Sequence, residues 1–166
     1  AMKVINLISG PRNLSTALMY SFAQREDMTV LDEPFYGYYL QNASLEIEHP
    51  SQKEILQTME LNEEKVIKNI NFSKVIHTPT LNDIGIKKAS ELFLFLKKNG
   101  KTPIVIDSDE LLKNPRNYLK KLCNLLGIPF TEKMLRWKKG GIPEDGIWAK
   151  HWYKNVHNSE GFAVQK

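Results

Sequence analysis

The sequence predicts an α/β fold, a doubly wound parallel sheet, on three observations. Short apolar runs at Val4–Ile8, Thr29–Leu31 and Thr102–Ile106 have the length and composition of buried strands. Stretches with helical spacing separate them, and such alternation is the pattern of a parallel sheet covered by helices. The first run also enters a turn at Gly10 and continues as a helix, the place where open α/β sheets hold anionic ligands.

The elements follow in order. After Val4–Ile8, residues Ser15 to Arg25 read as a helix, with Leu18, Met19 and Phe22 at helical spacing. Thr29–Leu31 ends in Asp32-Glu33-Pro34, and Pro34 stops regular structure, leaving both acids at the run's carboxyl end. The aromatic run Phe35-Tyr36-Gly37-Tyr38-Tyr39 comes next. Glu54–Met59 and Glu63–Ile70 read as helices after the break at His49-Pro50-Ser51. Thr80–Asn99 is expected as an amphipathic helix with an apolar stripe through Leu92, Phe93 and Leu96, closed by Asn99-Gly100. Thr102–Ile106 leads into Asp107-Ser108-Asp109-Glu110. A further helix opens near Pro115 and runs to Leu126, where Gly127 caps it. A short helix follows Pro129, and the chain closes in a Gly- and Trp-rich tail.

A chain of 166 residues accommodates one domain with one sizeable core, expected here over residues 1–166. Apolar residues make up 42% and charged residues 25%, as in ordinary globular proteins. No apolar stretch reaches the ~18 residues of a membrane span, and the first apolar run is short and enters the motif. Neither a span nor a leader is expected. The single Cys123 lies in the apolar run Leu119–Leu126, which excludes an internal disulfide framework and reads as a buried thiol in a cytoplasmic protein. The net charge of +4 fits an anionic small ligand. Lys97-Lys98 and Lys120-Lys121 flank helical runs as solvated faces, and no nucleic-acid motif is present. A small-molecule partner is expected, without nucleic acid or membrane.

The turn Gly10-Pro11-Arg12-Asn13-Leu14-Ser15-Thr16 is read as an anion site. Free backbone N–H groups and the positive end of a helix dipole converge there, and Arg12 adds a planar fork suited to phosphate or sulfate oxygens. An ATPase loop would read G-x-x-x-x-G-K-[ST]. Here Leu14 stands where that Lys belongs, the second Gly is absent, and the basic group comes three residues before Ser15.

These residues resemble the 5′-phosphosulfate loop of sulfotransferases. The run is most similar to that of a bacterial group reading P-R-N-x-S-T-A-L-M-Y-S-F and then D-E-P-F-Y. The resemblance implies a P-loop nucleoside-triphosphate-hydrolase-like fold of sulfotransferase type. It also implies 3′-phosphoadenosine 5′-phosphosulfate (PAPS) as donor and transfer of its sulfuryl group to a hydroxyl or amine. By it, Arg12, Ser15 and Thr16 take the phosphosulfate, while Leu14 stands where a small Gly is common. Lys138, Lys139 and Gly140-Gly141 are similar to the basic loop that closes over the donor's 3′-phosphate, though a solvated charge run explains them equally well. The segment from Ile104 to Pro115, Leu125-Leu-Gly-Ile-Pro-Phe130 and His151-Trp-Tyr to Phe162 resemble later parts of the same group.

The middle departs from that pattern. The family carries a strand with an Arg, then a Ser about eight residues on, for the 3′-phosphate; Lys65–Val75 holds neither an Arg nor a Pro. Either that half-site is lost, or a central stretch near residues 69–71 is missing from this sequence. The second is favoured, since losing a central strand would expose two sheet edges.

Glu33 is the candidate general base, a role the resemblance supports; its competing reading is a turn cap or an ion pair with Arg12. His77, His151 and His157 are alternatives, each also readable as an ordinary hydrogen-bonded His. Phe35, Tyr36, Tyr38 and Tyr39 can line an acceptor pocket, with packing expected for at least two. Trp148 and Trp152 are expected to pack. No His pair at metal-ligand spacing and no Cys cluster occurs, so no metal is expected. The leading reading is a PAPS-dependent sulfotransferase with Arg12 and Glu33 at its centre. A P-loop kinase or NTPase, and a non-catalytic anion-binding module, are the alternatives.

Overall fold

The computed structural model describes residues 3–9, 14–42, 49–70 and 86–163. Helix α1 is Ser15–Ala23. It starts where the N–H of Leu18 reaches the carbonyl of Leu14 at 2.8 Å, and it buries Leu18, Tyr20 and Ser21. The hydroxyl of Ser21 donates to the carbonyl of Met134 at 2.6 Å, which fixes α1 against the 3-10 turn Glu132–Leu135. Just past α1, the buried guanidinium of Arg25 holds both oxygens of Asp27, at 2.8 and 2.7 Å, and the carbonyl of Pro129 at 2.5 Å.

Helix α2, Tyr36–Asn42, springs from a turn in which the carbonyl of Glu33 accepts from the N–H of Tyr36 at 2.9 Å. It packs on α3, Gln52–Thr58, so closely that a Cβ at Gly37 would stand 2.8 Å from Cβ of Met59, just past α3. Helix α4, Glu63–Ile70, is capped by Asn62, whose side chain accepts from the N–H of Lys65 at 3.0 Å. Helix α5 is Ile86–Lys98; the N–H groups of Gly100 and Lys101 close it onto the carbonyls of Lys97 and Leu96.

Helices α6, Ser108–Lys113, and α7, Pro115–Leu126, follow with only Asn114 between them. Asp107 caps α6 by accepting from the N–H groups of Asp109 and Glu110. Asn114 both ends α6 and caps α7, accepting from the N–H of Asn117, with Pro115 at the first position of α7. Gly127 ends α7 in the left-handed conformation, φ 64°, as its position after Leu126 predicts. The short helices α8, Ala149–Trp152, and α9, Lys154–His157, complete the order.

Two cores result. Leu18, Leu111, Leu119, Leu122, Cys123 and Met134 form one beneath α1, α6 and α7. Leu40, Ile55, Trp148, Ala149 and Tyr153 form the other beneath α2, α3 and α8. Helix α1 serves both, through Leu18 in the first and Met19 against the second. Full burial of Leu111, Leu119 and Ile55 contributes about 2–3 kcal/mol each. The thiol of Cys123 is wholly enclosed, as its apolar neighbours in the sequence predict, and burial raises its pKa.

The doubly wound parallel sheet is not formed. Among the described residues no strand occurs, and the one β-type pairing is a single antiparallel bridge between Arg136 and Gly161. The three runs read as strands lack helix and ladder alike, and Val4, Leu7, Leu31 and Val105 stand exposed. Apolar composition gives a run the capacity to pair; a strand exists only when another segment supplies the ladder. The aromatic run expected as a pocket wall forms most of helix α2. Helices α1, α3, α4, α5 and α7 and the turn Glu132–Leu135 fall on stretches expected to be helical, since their hydrogen bonds are local, whereas α6, α8 and α9 lie where no helix is expected.

Candidate functional site

Three parts of the chain converge: α1, the acidic turn at Asp32-Glu33, and the stretch from Arg136 to His157. They are joined by two carboxylates. Asp145 takes three donors on its Oδ2: the hydroxyl of Tyr20 at 2.5 Å, the N–H of Ile142 at 3.2 Å and Nε2 of His157 at 3.0 Å. Its Oδ1 is buried and has no partner among the described residues. Burial and the bond to Asp145 hold the Tyr20 phenol far above its ordinary pKa, so Tyr20 stays a donor across the physiological range.

Asp32 is the second carboxylate. Its Oδ2 accepts from the N–H of Gly146 at 3.0 Å and its Oδ1 from the hydroxyl of Tyr153 at 2.7 Å; that hydroxyl in turn accepts from Nε1 of Trp148 at 3.1 Å. Burial raises the pKa of Asp32, against the lowering effect of these two donors. Asp32 is thus a structural acid that ties the turn to the tail. Trp148 packs in the core as expected, whereas Trp152 is exposed.

Glu33 differs from its neighbour. No hydrogen bond among the described residues holds its carboxyl, and its backbone sits at φ 38°, in the left-handed region that costs a side-chain-bearing residue about 1–2 kcal/mol. The residue keeps contact with solvent, yet surrounding chain strips hydration from the carboxyl, and the charge of Asp32 adds to this. Together they push its pKa up to about 7. A carboxyl with no hydrogen-bond partner among the described residues and a pKa pushed up to about 7 can take up a proton at neutral pH.

Leu14, Ser15 and Thr16 open α1 and are partly accessible. Leu14 occupies the cap position, which carries no side-chain cap, and no acidic residue stands in the first turn. The helix therefore presents N–H groups and a positive dipole end with no carboxylate of its own first turn opposing an anion there. Gly10, Pro11, Arg12, Asn13 and His77 lie outside the described residues. Lys138 and Lys139 are exposed, and Gly140 turns the chain at φ 98°, its N–H held by the carbonyl of His157 at 2.8 Å. His157, bonded to Asp145, so anchors the basic loop; His151 is engaged by the hydroxyl of Ser51 at 3.1 Å. Of the aromatic residues, Tyr36 and Tyr39 pack on the second core, and Tyr36 also bonds His49 through its hydroxyl at 2.8 Å.

Sequence reasoning misses Asp145, Tyr20 and Tyr153. Nothing in spacing relates Tyr20 to a residue 125 positions away. The one local sign is an acid beside a Gly, Asp145-Gly146, which is read first as a turn. A groove of about 490 Å³, bordered by Arg116, Leu135, Arg136 and Phe162 among others, lies beside α7. Its Arg116 pairs with Glu132 and its Lys113 with Glu110.

Among curated proteins the chain is similar to branched-chain-amino-acid aminotransferase-like protein 1 of Arabidopsis thaliana. That alignment is 37% identical over 209 positions and covers 99% of this chain and 37% of the relative. The similarly named protein 2 of the same plant is 35% identical over 207 positions, covering 98% and 36%. The chain thus spans just over a third of the length of these relatives. No solved structure matches it. A family profile described as sulfotransferase domain matches residues 2–82 and 77–166, nearly the whole chain. The chain belongs to the sulfotransferase domain family.

Proposed function

We propose that this protein transfers a sulfuryl group from PAPS to a hydroxyl or amine of a small acceptor in the cytoplasm. Arg12, Ser15 and Thr16, with the N–H groups of Gly10 and of Arg12 to Leu14, take the 5′-phosphosulfate in a loop of the kind found in the bacterial group, with Pro11 setting its backbone. Lys138, Lys139 and Gly140 face the 3′-phosphate, and Glu33 is the base. The acceptor oxygen or nitrogen forms a bond to sulfur as the bond from sulfur to the phosphate oxygen breaks. The acceptor proton passes to Glu33, and adenosine 3′,5′-bisphosphate leaves. Such chemistry asks for positioning and charge stabilisation, without a covalent enzyme intermediate or a metal.

The observation that carries this reading is the division of labour at the acidic turn. Asp32 is held by Gly146 and Tyr153, while adjacent Glu33 has no hydrogen-bond partner among the described residues and a pKa pushed up to about 7. Membership of the family supplies the reaction class.

Calorimetry with adenosine 3′,5′-bisphosphate tests it. Micromolar binding that Arg12→Ala abolishes is the expected outcome, and absence of binding to a folded protein defeats the reading. Binding without sulfation of any tested phenol, alcohol or amine would leave an anion-binding module. That second reading is favoured by the missing Arg between Lys65 and Val75. Magnesium-dependent ATP turnover would point instead to a kinase.

A further inference from the structure

Lys138 and Lys139 are exposed, and neither has an ion-pair partner among the described residues. The chain is held firmly on both sides of them. Before them, Trp137 is buried, its ring edge-on to Tyr20 and to Phe162 with centroids 6.0 and 5.2 Å apart. Its N–H donates to the carbonyl of Glu160 at 3.3 Å and its Nε1 to the hydroxyl of Ser159 at 3.1 Å. After them, the N–H of Gly140 meets the carbonyl of His157, and Gly141 lies against the paired side chains of Asp145 and His157. A Cβ at Gly141 would stand 2.8 Å from Oδ2 of Asp145 and 3.7 Å from Nε2 of His157, which leaves no room for a side chain.

The oxygen against which Gly141 lies is the one that accepts from Tyr20, five residues and about 7.5 Å along the axis from the opening of α1 at Ser15. Helix α1 has anchors of its own, Leu18 in the first core and the bond from Ser21 to Met134. Loss of the Tyr20 bond therefore frees the loop and leaves the helix opening in place. We propose that Asp145 is a positioning residue for the donor. By joining Tyr20, Gly141 and His157 at one oxygen, it fixes the spacing between the opening of α1 and the loop of Lys138 and Lys139. That spacing selects a nucleotide phosphorylated at both its 5′ and 3′ positions over one phosphorylated at 5′ alone. The inference rests on the donor reading above, in which the opening of α1 takes the 5′ end and the loop the 3′-phosphate. Asp145 acts through the loop: a segment already ordered loses little conformational freedom when it meets its ligand, and affinity for the 3′-phosphate rises accordingly.

Calorimetry of adenosine 3′,5′-bisphosphate against adenosine 5′-monophosphate tests this, on the parent chain and on variants at a temperature where each is folded by circular dichroism. The parent is expected to prefer the bisphosphate by about 100-fold. Tyr20→Phe cuts the bond from α1, and Gly141→Ala drives a methyl group against Oδ2. Each should lower the preference by about tenfold, with affinity for the monophosphate within about threefold of the parent's. Because both act on one oxygen, the double variant should lose little more than either alone. His157→Gln, which keeps an N–H donor for Oδ2, should hold the preference, and His157→Leu should lose it. Asn114→Ala removes the cap of α7 and controls for a general loss of stability. A preference unchanged in Tyr20→Phe and Gly141→Ala overturns the role of Asp145 and leaves the donor reading standing, as does an equal fall in Asn114→Ala. A parent that binds neither nucleotide, or both alike, removes the donor reading and this inference with it. Should one of the two variants not fold, the other decides.

Discussion

The phenol of Tyr20 in α1 donates to Oδ2 of Asp145 at 2.5 Å, across 125 residues of chain. This bond fastens the helix that opens at Ser15 to the loop carrying Lys138 and Lys139. Asp145 fills that role with an Oδ1 that is buried and bare among the described residues. Tyr20→Phe removes the shortest of the three bonds on Oδ2, in a carboxylate whose other oxygen has no partner among the described residues. Loss of about 1–3 kcal/mol in urea unfolding is expected. A change below about 0.5 kcal/mol would show that the bond carries no weight.

Arg25 is a second long-range fastener. Its buried guanidinium spans Asp27 and the carbonyl of Pro129, and Nη1 lies 3.4 Å from the sulfur of Met134. Arg25→Lys keeps the charge but loses the fork, so the Pro129 carbonyl or the Asp27 oxygens go unmatched. A fall of about 2–4 kcal/mol is predicted, with Arg25→Ala at least as severe. Thermal unfolding of both variants checks the order; a Lys variant as stable as the parent contradicts it.

Glu33 gives a pH dependence of known sign. Its folded pKa, about 7, lies above the ordinary carboxylate value of 4.5, so the folded state binds the extra proton. Its contribution to stability is full below pH 4.5 and is lost as pH rises through 7. The side chain keeps solvent contact, so the loss is on the order of 1 kcal/mol. Subtracting the stability–pH curve of Glu33→Gln isolates this slope, and parallel curves would refute it.

The same group sets the rate profile if transfer occurs as proposed. Activity should climb to a plateau as Glu33 deprotonates near pH 7, and Glu33→Gln should lower the plateau by about 10²–10⁴-fold with donor affinity little changed. Initial rates from pH 5 to 9, beside calorimetry of the variant, separate a base from a binding residue. An unchanged plateau would pass the role to another group.

Gly140 sits at φ 98° with nothing within 4 Å of the point where a Cβ would stand, so substitution meets strain and not collision. Gly140→Ala is expected to cost about 1–2 kcal/mol and to loosen the loop of Lys138 and Lys139. Weaker binding of adenosine 3′,5′-bisphosphate with a folded core intact is the signature. Equal affinity would dissociate the loop from the ligand.

What is legible in the sequence follows the range of the interactions. Pro115 at a helix start and Gly127 at a helix end are local devices, and each acts through its immediate neighbours. Glu33 stands out because a Pro after two acids ends regular structure, a sequence-local fact as well. The ladder partners of Val4–Ile8 and Thr102–Ile106 are properties of distant chain, and a run of apolar residues does not encode whether they are present. The Asp145 knot is invisible for the same reason: Tyr20, Asp145 and His157 acquire meaning only when the tail folds back on α1.

Asn114 matters beside the site residues for a mechanical reason. One side chain and one backbone setting, φ −152° and ψ 78°, terminate α6 and start α7 at once. The two helices therefore form an elbow with no slack, and neither can change length or direction without the other yielding. The cap Asp107 and the core residues Leu111 and Leu119 thus lie on two helices joined through the single residue Asn114.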